Sequence, residues 1–430
     1  MLNFSSEQAK YFLEKSDDAV CAVSSTGELL LSNPAAEKLF GISAQEGIKI
    51  WDAIPYVEEN DELIELFISA VTQKLSSQEA VVDYVNNSGK VYNLHVRLNY
   101  YKDDLALFFI VITDLTNLIS ARAAFARYTS PDIADYVLMT SEGQKRGGIN
   151  QDVTIMMSDL RGFTALSSKL PAQELIDLLN HYFEKMVAVI EKYHGTVIEF
   201  LGDGIFVVFG APRDLPDHAS LAVKCAIEMQ NAMREVNAWN HDNGFPDLEM
   251  GIGINSGNVV IGNIGSDKKM KYGCIGSAVN IAGRVESLTV GGQILITDNT
   301  AVLVTEKLTW KSESSFLPKG AKEDLKYYEL AGVGDLELIS DDREIIWKEG
   351  IDEDLDLYTL EGKVVSEQAH KVRIISLSDD RKHAIIKCGY KLSDMSNIMI
   401  QRQDTRIYAK VIEADNDGFL ICFTSDTREL

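Results

Sequence analysis

The pattern of hydrophobic and polar positions is most legible in the middle of the chain. Asp152 to Met157 is an apolar run of strand length. After it, Leu175, Leu178, Leu179, Tyr182, Phe183, Met186, Val189 and Ile190 recur at three- and four-residue steps, the period of an amphipathic helix. Thr196 to Leu201 and Ile205 to Phe209 read as two strands separated only by Gly202-Asp203-Gly204, which predicts a hairpin. A second helix is predicted from Asp217 to Trp239, with Leu221, Cys225, Met229, Met233 and Val236 inward, and Leu248 to Ile254 reads as a fourth strand. The order is β-α-β-β-α-β, a split-βαβ or ferredoxin-like unit. Right-handed crossover makes the first two strands parallel and puts the third between them, antiparallel to both. Topology alone therefore brings Asp159, at the end of the first strand, beside Asp203, at the start of the third.

The flanks differ. Ala19 to Val23, a Ser25-Thr26-Gly27 turn, Leu29 to Leu31, and the longer runs Val91 to Leu98 and Leu105 to Ile112 predict a small α+β domain over residues 1–118. Leu115, Leu118, Ile119, Ala123 and Ala126 fall on one helical face, and Thr129-Ser130-Pro131-Asp132 offers an N-cap and a first-turn proline to the next helix. Residues 119–149 thus read as a helical connector, either paired with its copy in a second protomer or lying on its own domain. Asp335 to Glu361 holds eleven acids against Arg343 and Lys348, so residues 333–365 read as an acidic linker or exposed helix. Short strands return from Val372 onward, and residues 366–430 read as a small β-rich domain. Its Arg402-x-x-x-Arg406 spacing fits an anion-gripping pair but is too common to assign a role. The whole is α+β, with the central unit at residues 150–332.

Charge narrows the partners. Of 430 residues, 41 are Lys or Arg and 65 are Asp or Glu, a formal net charge of −24, which repels a polyphosphate backbone and anionic lipid alike. Neither nucleic acid nor a membrane is expected as a partner. No apolar run approaches the roughly 20 residues of a spanning helix, and Met1 to Lys10 shows no basic-then-apolar leader, so a cytoplasmic location is expected. Five scattered cysteines, Cys21, Cys225, Cys274, Cys388 and Cys422, form no CxxC pair and read as reduced packing residues.

The paired aspartates gain meaning from their neighbours. Asp159 is followed by Leu160-Arg161-Gly162-Phe163-Thr164, a Gly-containing turn leaving a strand, whose backbone N–H groups suit phosphate oxygens. Two carboxylates facing a phosphate cradle need a divalent cation between them, and hard oxygen ligands favour Mg²⁺ or Mn²⁺.

Val153 to Thr164 resembles the first metal motif of the class III nucleotidyl cyclases, and Phe200-Leu201-Gly202-Asp203-Gly204 resembles the second. Gly251 to Gly257 with Gly262 to Ser266, and Tyr272 to Glu286, resemble the two following family blocks, in the right order over residues 125–330. The resemblance implies that Asp159, Asp203 and the backbone carbonyl of Leu160 hold two metal ions, and that Gly162, Phe163 and Thr164 receive phosphate. It implies further that Asn280 positions the ribose, Arg284 stabilises charge on the α-phosphate, and Lys319 binds phosphate. In the family these two sets stand on opposite subunits, so a homodimer with two sites is implied. The string Ser32 to Gly41 with Asp114-Leu115-Thr116 is similar to PAS domains, which implies regulation by a ligand, redox state or protein contact not identified by the sequence. A flavin adduct on Cys21 is disfavoured by its place in an early strand, and haem through His95 is a weak alternative.

Base choice in this family rests on two positions, occupied here by Glu199 and Gly273. A carboxylate accepts together from guanine N1–H and the 2-amino group, whereas it repels the bare N1 of adenine. Charge-assisted hydrogen bonds of about 1.5–3 kcal/mol give a tenfold to hundredfold preference for GTP. Gly273 has no side chain to donate to guanine O6. A guanylate cyclase is expected, with an adenylate cyclase acting on ATP, or a non-catalytic nucleotide-sensing dimerisation module, as alternatives.

Overall fold

The computed structural model describes residues 6–41, 47–102, 106–317, 324–339, 346–361, 364–393, 396–403, 405–415 and 418–424. The chain divides into two compact units, residues 1–128 and residues 129–430. None of its described helices is long and apolar enough to cross a membrane.

The first unit runs α1 (Ser6–Lys15), β1 (Ala19–Ser24), β2 (Leu29–Ser32), α2 (Pro34–Phe40), α3 (Asp61–Gln73), β3 (Ser77–Val85), β4 (Val91–Tyr101), β5 (Leu107–Asp114) and α4 (Thr116–Tyr128). Its strands form one antiparallel sheet in the order β2-β1-β5-β4-β3. Alternate residues Leu94, Val96 and Leu98 of β4 and Phe108, Ile110 and Ile112 of β5 turn inward, against Leu63 and Phe67 of α3. The Asn33-Pro34 pair starts α2 as an N-cap should: the Ala36 N–H donates to Asn33 Oδ1 at 2.9 Å. Cys21 is buried, and burial pushes its thiol up to about 12, while His95 Nε2 lies 2.5 Å from Glu79 Oε1. The apolar stripe of α4 is uncovered, with no buried residue along the helix.

The second unit continues with α5 (Pro131–Met139), β6 (Gly147–Leu160), α6 (Phe163–Ser167), α7 (Ala172–Lys192), β7 (Thr196–Leu201), β8 (Gly204–Phe209), α8 (His218–Asp242), β9 (Met250–Ser266), β10 (Lys269–Ile275), α9 (Ser277–Ser287), β11 (Ile294–Thr297), α10 (Asp298–Ala301), β12 (Leu308–Phe316), β13 (Leu325–Val333) and β14 (Leu336–Glu337). The sheet order is β12-β13-β11-β9-β6-β8-β7, with β10 on β9 and β14 on β13. Strand β8 lies between β6 and β7 and is antiparallel to both, as the crossover rule requires. Helices α7 and α8 cover one face, burying Leu178, Tyr182, Met186 and Ile190 with Cys225, Met229 and Met233. The opposite face carries α5 and α9, whose Ile133, Ala278 and Ala282 join Val153, Ile155 and Val208. The two-residue period of β6 places Asp159 on that second face.

Two predicted boundaries move. Strand β6 starts at Gly147 and pairs with β9 from Gly147↔Asn263 to Leu160↔Met250, so the end of the expected helical connector is already sheet. The expected acidic linker is largely strand: β15 (Trp347–Glu361) pairs with β17 (His370–Ser378) and β19 (Asn397–Arg402). Its acids are answered across the sheet, Glu353 by Arg402, Asp354 by Arg373 and Asp356 by Lys371, while Leu355 and Leu357 turn inward. With β16 (Val364–Val365), β18 (His383–Cys388), β20 (Thr405–Asp415) and β21 (Gly418–Phe423), these strands close into a barrel around Ile374, Ile386, Ile400, Val411 and Ile421. Arg402 is thereby committed to Glu353 and not poised with Arg406 for an anion.

A buried chain of polar groups crosses the central sheet. Thr154 Oγ1 lies 2.7 Å from both His218 Nδ1 and Ser256 Oγ. Ser256 donates to Thr300 at 3.1 Å, Thr297 donates to Asn255 at 2.8 Å, and Asn255 donates to the Ala278 carbonyl in the first turn of α9.

Candidate active site

The β7–β8 turn delivers Asp203 to the end of β6, and the Leu160 N–H donates to Asp203 Oδ2 at 3.2 Å. Partial burial, then the charge of Asp159, push the Asp203 carboxyl up to about 6. Two hard anionic groups beside a strand-end carbonyl, one of them already paying for its neighbour's charge, fit a divalent cation. Among the described residues no cluster of three or more His, Cys, Asp or Glu ligands exists, so a metal here would rely on these two carboxylates, backbone oxygen and its own substrate.

Arg161 ties this corner to α9. Its guanidinium lies 3.3 Å from Asp159 Oδ2 and pairs with Glu286, and both side chains are largely buried. Burial, with the charge of Asp159, raises the Glu286 carboxyl against the pull of Arg161. Gly162 then adopts φ +70°, the left-handed turn that starts α6, so Phe163 and Thr164 occupy a first helical turn, where backbone N–H groups lack intrahelical acceptors.

Helix α9 presents Asn280 and Arg284, one turn apart, on its exposed side, while Ala278, Ala282 and Val285 face the sheet. It can lie this deep because β9 has glycine beneath it. A Cβ at Gly253 would stand 2.2 Å from the Glu286 backbone nitrogen, and one at Gly251 would stand 1.9 Å from Thr289 Oγ1.

Glu199 on β7 and Gly273 on β10 lie on strands that do not pair but approach each other, and Glu199 is not alone: Lys271, two residues before Gly273, forms an ion pair with it. Both side chains remain about half exposed. Gly273 is buried beside Tyr272, which stacks edge-on against Tyr136 at 5.5 Å. Lys319 lies outside the described residues. The sequence reading missed the roles of Arg161, Glu286 and Lys271. Of these, the Gly251-x-Gly253 spacing within a strand was the one available sign that a backbone approaches closely there.

Residues 148–332 match the family described as adenylate and guanylate cyclase catalytic domain, and residues 17–117 match the PAS domain family. Residues 148–332 are a class III nucleotidyl cyclase domain, and residues 17–117 are a PAS domain. Adenylate cyclase 1 of Rhizobium meliloti (strain 1021) is 26% identical to this chain over 211 residues, 49% of the chain and 32% of the relative. The terminal-differentiation specific adenylate cyclase of Dictyostelium discoideum is 32% identical over 187 residues, 42% of the chain and 9% of the relative. Among solved structures, guanylyl cyclase Cya2 is 47% identical, with 45% of this chain and 100% of that one covered and a TM-score of 0.44. The adenylyl cyclase CyaB from P. aeruginosa is 34% identical, covering 44% of this chain and 97% of that one with a TM-score of 0.42. The chain spans about a third of the length of the first curated relatives it matches, 32% and 37%.

Proposed function

We propose that the protein is a guanylate cyclase, converting GTP to 3′,5′-cyclic GMP and pyrophosphate at two equivalent sites of a homodimer, under control of its PAS domain. The observation that carries the reading is the convergence of Asp159 and Asp203, with Asn280 and Arg284 displayed on the uncovered side of α9. Two bound Mg²⁺ or Mn²⁺ would supply acidification of the ribose 3′-hydroxyl and charge neutralisation on the triphosphate. Asp159, Asp203 and the Leu160 carbonyl would hold them. The Gly162-Phe163-Thr164 turn would seat phosphate oxygens on its N–H groups. Asn280 from the other protomer would orient the ribose so that its 3′-oxygen faces the α-phosphorus. That oxygen bonds to the α-phosphorus, the bond to the β-phosphate oxygen breaks, pyrophosphate leaves with the electron pair and the hydroxyl proton passes to solvent. Arg284, also from the other protomer, meets the charge that builds on the α-phosphate oxygens. Lys319 is proposed as a further phosphate ligand.

Purine choice follows from the Glu199–Lys271 pair. The carboxylate accepts from guanine N1–H and the 2-amino group. The ammonium beside it supplies a donor for guanine O6 that Gly273 lacks. The same ammonium could donate to adenine N1, so ATP is the second reading. The purified 430-residue chain assayed with GTP and ATP under Mg²⁺ and under Mn²⁺, with cyclic nucleotide and pyrophosphate both quantified, decides it. A higher kcat/KM for GTP is expected; a higher value for ATP refutes the base assignment, and retained GTP binding without turnover would leave a nucleotide-sensing module.

A further inference from the structure

The C-terminal barrel reaches the candidate site through three contacts. Lys410 of β20 is 2% exposed, and its Nζ donates to the Ser287 carbonyl at 2.6 Å and the Thr289 carbonyl at 3.0 Å. The Ser287 carbonyl ends α9 and that of Thr289 lies two residues beyond, at the helix terminus where backbone oxygens lack intrahelical donors and the dipole is negative. Lys382, in the turn before β18, pairs with Glu249, whose carbonyl accepts from the Arg161 N–H at 2.7 Å. Thr424, just past β21, sets its carbonyl oxygen against Gly162, where an added Cβ would stand 2.7 Å away; the Thr424 N–H is itself held by the Tyr408 carbonyl at 2.8 Å. One domain therefore grips the end of the Arg284 helix and the turn after the Asp159 strand together.

These contacts leave the reacting groups open. With the barrel in place the Asp159 side chain is 41% exposed, and Asn280 and Arg284 remain on the uncovered side of α9. A plug would cover them; a brace would not. We propose that the C-terminal barrel is a structural part of the catalytic site, and that Lys410 is its positioning residue, holding α9 at a fixed distance from the Asp159–Gly162 turn. The chemistry of the contact agrees. Burial, and then the Arg161 guanidinium, push the Lys410 ammonium down to about 7 against the pull of Glu286. An amine that gives up its charge still keeps two N–H donors, one for each carbonyl. Arg161 and Glu286, paired just beyond, carry the constraint from α9 to the turn.

This inference rests on the cyclase reading, and its test separates the two. The wild-type 430-residue chain is first assayed with GTP and ATP; inactivity with both would sink the cyclase reading alone, because the brace has a second readout in hydrogen exchange. Lys410→Met should raise amide exchange across residues 284–289 and 159–164, whatever the activity. In active protein it should lower kcat about tenfold to hundredfold with nucleotide KM within about threefold, the mark of misplaced groups rather than lost binding. Lys410→Gln, whose uncharged amide keeps two N–H donors, should lose less than Lys410→Met, with kcat at least about threefold above it. Unchanged exchange and kcat in folded Lys410→Met, or equal losses in the Met and Gln variants, overturn the proposal. If Lys410→Met does not fold, Lys382→Met decides from the rim of the same contact, with a twofold to fivefold fall in kcat expected on the scale of a weakened surface ion pair and wild-type kcat and exchange overturning it.

Discussion

The two sides of the proposed site are built by different means. The carboxylate side is complete within one chain: a hairpin turn and a strand end meet because the sheet order leaves them no other place, and Leu160 hydrogen-bonds to Asp203. The α9 side is finished only as far as presentation. Two glycines let the helix down onto β9, and Asn280 and Arg284 are then held out on its exposed side. The first side titrates, and the second waits. In the proposed homodimer, topology fixes one half of the reaction centre and symmetry supplies the other, so that turnover would demand assembly.

The largest expected effect breaks the two sides separately and then recombines them. Asp203→Ala and Arg284→Ala should each lower turnover about 10²- to 10³-fold or more. Mixing equal amounts of the two variants should restore about a quarter of wild-type activity, since half the dimers are mixed and each holds one intact site. Mixed protein no more active than its parents would place both sides in one chain. A smaller effect sharpens the purine edge: Glu199→Lys should shift the GTP-to-ATP ratio of kcat/KM about tenfold to hundredfold toward ATP, read from paired steady-state assays. The smallest concerns stability. The folded carboxyl of Asp203 sits at about 6 against an ordinary 3.8, so its contribution is fully present below about 4 and is lost as pH rises through about 6. In metal-free protein, thermal melts from pH 4 to 7 should show a downward component that Asp203→Asn removes; identical pH profiles for the two proteins would contradict the raised carboxyl.

How much of this the sequence disclosed depended on the range of each interaction. Asp159 and Asp203 are 44 positions apart by number, 203 less 159, yet the handedness of a crossover made their meeting calculable. The acids of strand β15 obscure the two-residue alternation that buries Leu355 and Leu357, and the cations that answer them come from strands further along. Lys410 was invisible to any local pattern: it is one polar residue in an apolar strand, and what keeps it there is a helix end 121 to 123 positions earlier. Lys271 stood two residues from a position already singled out, but a surface lysine acquires meaning only when the facing strand supplies its carboxylate.

The line of hydroxyls and amides from His218 to Ala278 has a bearing on accuracy rather than strength. Strands β6 and β9 share fourteen paired positions, and register is weakly specified in Gly-rich strands such as β9. A slip would tear Thr154 from His218 and Ser256, leaving buried donors and acceptors stranded at about 1–3 kcal/mol apiece. The interior thus works as a vernier: it reads the alignment of the sheet in discrete steps, and the two carboxylates at the strand ends inherit their coordinates from a row of side chains they never touch.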